Sequence, residues 1–132
     1  MVDRIKDKVA IVTGAGTGIG KAVVLAYARE GAHIVGVGRR VERLKETADE
    51  VTQLGRKFLS LKCDISQKED CQNVVQNTLK ELGKVDILVN NAAIFPVTSF
   101  LETTPEEWDE VMAIDLKGIA LMCQAVLPHM IE

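Results

Sequence analysis

The chain has 132 residues, the length of one domain and too short for two. Hydrophobic residues make up 47% and charged residues 27%, the balance of a soluble globular domain rather than of a disordered chain or a membrane protein. Sixteen Lys and Arg against 19 Asp and Glu leave a formal charge of -3, so no electrostatic footprint for nucleic acid is present.

The opening MVDRIKDK is charged and runs straight into an apolar segment, so no signal peptide is expected. Residues 9–12 read as a first strand that ends in Thr13 and a glycine cluster. A helix is expected from about residue 18 to 30, with Ile19, Val23 and Ala26 on its apolar face and Gly31 as its stop. Residues 34–37 are a second strand. Val41, Leu44, Ala48 and Val51 recur at steps of three and four and mark an amphipathic helix ending near Gly55. Residues 58–61 are a third strand. Ser66 and Glu69 have capping-box spacing before a helix with the stripe Cys71, Val75, Thr78 and Leu82, closed by Gly83. Residues 85–89 are a fourth strand. Thr104, Pro105 and Glu107 supply an N-cap, a first-turn proline and a second capping box for a long helix, with Pro128 disturbing its last turns.

Short apolar strands alternating with helices pack as right-handed crossovers on a parallel sheet. The fold class is therefore α/β, a doubly wound parallel sheet, and a winding that reverses after the third strand gives the order 3-2-1-4. Cys63, Cys71 and Cys123 are irregularly spaced and read as reduced thiols of a cytoplasmic protein. With His33 and His129 as the sole histidines, no metal site is expected. No uninterrupted apolar run approaches the ~20 residues of a membrane helix, so no membrane partner is expected either.

The first strand-to-helix turn reads Thr13-Gly14-Ala15-Gly16-Thr17-Gly18-Ile19-Gly20. A glycine-rich turn there lets backbone N–H groups and a helix dipole meet an anion, although a tight turn without a ligand has the same composition. A triphosphate-binding loop needs Gly at Ala15 and a hydroxyl at Ala22. The GxGxxG fingerprint needs a small residue at Ile19 or at Lys21. What fits is Thr13 followed by glycine at 14, 18 and 20.

Asn90-Asn91-Ala92-Ala93 follows the fourth strand, Cys63-Asp64-Ile65 follows the third, and Asp115-Leu116-Lys117-Gly118 lies in the long helix. In this order and spacing the motifs resemble the TGxxxGxG, NNAG, Asp-hydrophobic and Asn-Leu-x-Gly segments of the short-chain dehydrogenases/reductases, with Ala93 and Asp115 as departures. The resemblance spans essentially the whole chain and implies a Rossmann-type, dinucleotide-binding domain over residues 1–132. It implies cofactor contacts from Thr13, Gly14, Thr17, Gly18, Ile19, Gly20, Arg39, Arg40, Asp64, Ile65, Asn91, Ala92 and Ala93. Asn90 is expected to bond backbone between loops, and Asn91 and Ala92 to lie beside the cofactor.

An NAD site places a carboxylate at the end of the second strand to accept from the ribose. Here that place holds Gly38, and Arg39 and Arg40 follow. A guanidinium grips a 2′-phosphate, so NADP(H) is favoured over NAD(H). Arg39 and Arg40 also read as ordinary solvated charges, but two cations near a helix N-terminus oppose its dipole.

The family moves hydride between nicotinamide and a carbonyl or alcohol carbon with a Ser, a Tyr and a Lys, the last two spaced Tyr-x-x-x-Lys. The sole tyrosine, Tyr27, lies in the first helix with Gly31 four places on. The resemblance therefore covers the cofactor-binding half, apparently truncated before the Ser and Tyr-x-x-x-Lys, and the 132-residue chain is expected to be inactive by itself. Asp115 stands where the family has an Asn that positions a water in the proton relay. An ionised Asp accepts but cannot donate, so such a relay would need rewiring. A full-length form is expected to take a small carbonyl or alcohol substrate and to be a homo-oligomer. Ile94, Phe95 and Pro96 offer an apolar wall for that substrate. The alternative is a non-catalytic dinucleotide-binding module, a sensor or interaction protein. A methyltransferase of similar fold fits less well, because an acid at the second strand would suit its ribose.

Overall fold

Val9–Thr13 (β1) is buried at every position, as a strand covered by helices on both faces must be. His33–Gly38 (β2) and Ile87–Val89 (β4) flank it, and Phe58–Lys62 (β3) pairs with β2. All pairings are parallel and the order is β3-β2-β1-β4, as the winding predicts. The register sets Thr13 against Val37 and Val12 against Val89, which aligns the carboxyl ends of the strands along one rim. The computed structural model describes residues 3–132; Met1 and Val2, the first residues of the charged opening, lie outside the described residues.

Alternation along β1 divides the core into two layers. Ala10 and Val12 face Gly18–Arg29 (α1) and Lys45–Gln53 (α2), packing with Val24, Ala28, Leu44 and Val51. Val9 and Ile11 face Lys68–Leu82 (α3) and the long helix, packing with Cys71, Val74, Val75, Met122 and Val126.

Two predicted helix faces are corrected and a third is extended. In α1 the buried residues are Gly20, Val24 and Ala28, and Ile19 is 77% exposed. The face is set by Gly20, whose missing side chain lets α1 sit on the Gly14 carbonyl. Val41 lies exposed in a 3-10 turn (Val41–Leu44) ahead of α2, and Thr47 is buried instead, its hydroxyl donating to the Ala15 carbonyl. In α3 Val74 joins the buried stripe.

The capping box at Ser66 and Glu69 does not form. The Ser66 hydroxyl and N–H both donate to Asp64 Oδ1, and the N-cap is Gln67 without a side-chain bond. That local turn competes with the cap for the same hydroxyl. Thr104 does cap, accepting from Glu107 N at 3.2 Å.

The long helix consists of Pro105–Met112 (α4), a π-helical turn Ala113–Lys117, and Gly118–Ile131 (α5), which continues through Pro128. Pro105–Ile131 is 27 residues long with mean hydropathy 1.5 in its most apolar window, enough by length and composition to cross a bilayer. Asp115 and Lys117 interrupt the apolar run without ending the helix. Its stripe Ile114, Gly118, Met122 and Val126 is buried against the sheet layer. Gly118 lets the helix sit close to Ile65, since a Cβ there would stand 2.7 Å from the Ile65 side chain and force it to shift.

Candidate functional site

The strand ends and the loops that leave them surround an open cleft of about 260 Å³. Its lining brings together Thr13, Gly14, Thr17, Arg39, Asp64, Ile65, Asn91, Ala92 and Ala93, nine of the residues expected to contact a cofactor. Ligand sites in open parallel sheets fall at this rim because the winding reverses beside β1 and parts the loops.

Hydrogen bonds fix the cleft floor. Gly14 N donates to the Val37 carbonyl at 2.8 Å, and Cys63 N donates to the Gly38 carbonyl at 3.1 Å. Thr13 Oγ1 accepts from Asn91 N and Ala92 N at 3.0 and 2.9 Å, tying the loop after β4 to the end of β1. Asn91 Nδ2 donates to the Gly14 carbonyl at 3.1 Å. The bonding between loops expected of Asn90 is thus made by Asn91. Asn90 is exposed, and its amide contacts Cys123 Sγ at 3.6 Å.

Gly18, Ile19, Gly20 and Arg40 do not line the cleft. Gly20 works from behind it, since a Cβ there would meet the Gly14 carbonyl oxygen at 2.0 Å and Asn91 Nδ2 at 2.5 Å. Gly18 opens α1 with φ +57, and nothing lies within 4 Å of where its Cβ would be. Thr17 makes no capping bond and no acid sits in the first turn, so the α1 N-terminus keeps its dipole and N–H groups open to an anion. This uncapped turn and the space beside Gly18 fit a phosphate group.

At the far rim, Arg39 is exposed and follows Gly38. The Ser66 hydroxyl bonded to Asp64 holds that carboxyl below its usual range, and the positive charge of Arg39 acts in the same sense. Asp64 is therefore an ionised acceptor beside a cation. Cys63 lines the cleft next to Cys71, whose sulfur contact together with burial pushes the Cys63 thiol up, so it stays a neutral S–H.

Asp115 lies in the π turn and accepts from Ile94 N at 2.8 Å, joining the long helix to the loop after β4. Single π turns inside α-helices frequently mark functional positions. Tyr27 packs against the layer of α1 and α2, away from the cleft lining. Val37, Cys63 and Ile114 also line the cleft and were not singled out as cofactor contacts. Val37 and Cys63 flank motif residues at strand ends, which is a usable signal. Ile114 arrives from the long helix, and no local pattern announces it.

A short chain dehydrogenase family model matches residues 8–132. The chain is 38% identical over 127 residues to the 2-dehydro-3-deoxy-D-gluconate 5-dehydrogenase of Escherichia coli (strain K12), covering 96% of this chain and 49% of that protein. A short-chain type dehydrogenase/reductase from Mycobacterium marinum superposes with a TM-score of 0.94 at 35% identity, covering 98% of this chain and 53% of that one. The L-sorbose reductase from Gluconobacter frateurii, solved in complex with NADPH and L-sorbose, superposes with a TM-score of 0.91 at 34% identity, covering 98% and 50%. The chain spans about half the length of the curated relatives it matches.

Proposed function

The chain belongs to the short chain dehydrogenase family, and on that premise we propose that residues 1–132 are the dinucleotide-binding domain of an oxidoreductase acting between NADP(H) and a carbonyl or alcohol carbon. The observation that carries the reading is the convergence of four separate strand-end loops on one cleft, with an open helix N-terminus at one side and Arg39 at the other. In this reading the α1 N-terminus beside Gly18 and Thr17 holds the pyrophosphate. Arg39 holds a 2′-phosphate, with Arg40 adding charge nearby. Asp64 and Ile65 hold the adenine. Asn91, Ala92 and Ala93 line the end toward the nicotinamide, whose ring supplies or accepts the hydride.

Two features support NADP(H) over NAD(H). Gly38 stands where a ribose-binding carboxylate would, and the Gluconobacter frateurii relative was solved with NADPH. A cytoplasmic setting with reduced thiols, and a homo-oligomer for a longer form, belong to the same reading. Titration of the purified chain with NADPH and NADH, followed by nicotinamide emission, tests it. Tighter binding of NADPH is expected; binding of neither, or preference for NADH, overturns the assignment.

A further inference from the structure

A second cavity of about 310 Å³ shares Ile94 with the dinucleotide cleft and opens beside the loop after β4. Its walls carry three aromatic rings, Phe95, Phe100 and Trp108, and two carboxylates, Glu107 and Asp115, and no Lys, Arg or His. Phe100 and Trp108 stand edge to face with centroids 6.4 Å apart. All three rings are substantially exposed, which leaves aromatic surface open to a ligand.

Glu107 is the telling group. Its Oε2 is shielded from solvent and has no hydrogen-bond partner. An oxygen that water does not reach is not touched by an occupant of the open cavity either, so Glu107 acts on that occupant through its negative charge across the wall, which favours a cation. Helix capping does not account for it: Glu107 N donates to Thr104 Oγ1, but its own carboxylate does not complete the reciprocal bond. The surroundings reinforce the sign. Between Val85 and Leu116 the chain has seven carboxylates and no basic residue, although the whole chain carries only -3.

Aromatic faces and carboxylates together select an organic cation. A hydrated metal ion needs oxygen ligands on several sides, and among the described residues no group of three or more His, Cys, Asp or Glu is placed to hold one. We propose that this cavity binds an organic ammonium group, so that the substrate class is a carbonyl or alcohol compound bearing a positively charged amine. The substrate assignment rests on the dinucleotide reading, whereas the ammonium site can be measured without it.

Trp108 is the sole tryptophan and reports on the cavity directly. The purified chain is titrated with choline and with its uncharged isostere 3,3-dimethyl-1-butanol, following Trp108 emission, with NADPH binding measured in parallel. Saturable choline binding at least about tenfold tighter than the isostere is expected. Glu107→Gln, whose backbone N–H still donates to Thr104 Oγ1, is expected to weaken choline about tenfold while the melting temperature holds. Should that variant fail to fold, Asp115→Asn, whose Oδ1 still accepts from Ile94 N, is expected to weaken choline in the same direction. Equal binding of choline and isostere, no choline binding, or wild-type choline affinity in a folded Glu107→Gln overturns the proposal. Choline binding without NADPH binding would support the ammonium site and sink the dinucleotide reading instead.

Discussion

Arg39 and the glycines of the first turn act through what stands, or does not stand, at single atoms. If Arg39 meets a 2′-phosphate, Arg39→Ala should weaken NADPH by about 1 to 3 kcal/mol, the scale of hydrogen bonds to a charged group, and leave NADH nearly unchanged. Titrating both cofactors against both proteins checks this, and equal losses would show that Arg39 does not read the phosphate. Gly18 and Gly20 look alike in the sequence and differ in the fold. A methyl at Gly20 would collide with the Gly14 carbonyl oxygen, so Gly20→Ala should lower stability by about 1 to 3 kcal/mol in urea unfolding. A methyl at Gly18 enters open space but at φ +57, so Gly18→Ala should cost about 1 kcal/mol of stability through backbone strain and, on the dinucleotide reading, weaken NADPH as well. Their TGxxxGxG spacing was legible. Which glycine packs against backbone and which stands in open space was not, because that depends on the Asn91 loop, some 70 residues away in sequence.

Elements are joined at a few polar points, and two of these have measurable consequences. Asp115 ties the π turn of the long helix to the loop after β4 through Ile94 N. Asp115→Ala removes the acceptor and should cost about 1 to 3 kcal/mol, whereas Asp115→Asn retains an oxygen there and should cost less. Thermal or urea melts of the two variants decide, and equal losses would argue that the charge itself matters. At the start of β2, His33 Nδ1 accepts from Lys57 N at 3.0 Å, which requires the neutral ring. Burial lowers its pKa, helped by Arg56, while Asp7 works in the opposite sense. Between the folded and unfolded pKa values the unfolded chain binds more protons, so stability should fall as pH drops below about 6.5. Melting temperatures across that range should show the slope, and His33→Asn, with a non-titrating acceptor, should flatten it.

At the scale of the whole molecule, the dinucleotide reading supplies a cofactor site, but among the described residues no tyrosine–lysine pair stands at the cleft to donate a proton to a carbonyl. Tyr27 is packed in the α1–α2 layer, and Asp115 is held by a backbone N–H on the loop after β4. General acid/base help alone is commonly worth ~10²–10⁴ in rate. The 132-residue chain should therefore bind NADPH without oxidising it when ketones or amino ketones are added, measured by loss of NADPH absorbance. Substrate-dependent turnover that survives Tyr27→Phe and vanishes with Asp115→Ala would make Asp115 catalytic.

The sequence by itself determined the strands, the parallel winding and the order β3-β2-β1-β4, because short apolar runs separated by helices admit few right-handed arrangements. It also determined which loops reach the rim, since strand ends carry the motifs. Only the tertiary structure decided the phase of α1, where one backbone contact at Gly20 outweighs the pattern of Ile19, Val23 and Ala26. It alone transferred the loop-bonding part from Asn90 to Asn91, and it alone set Glu107 and Asp115 among three aromatic rings. Local periodicity records what a segment can bury, but contacts between distant segments choose which of its near-equivalent faces and side chains are used.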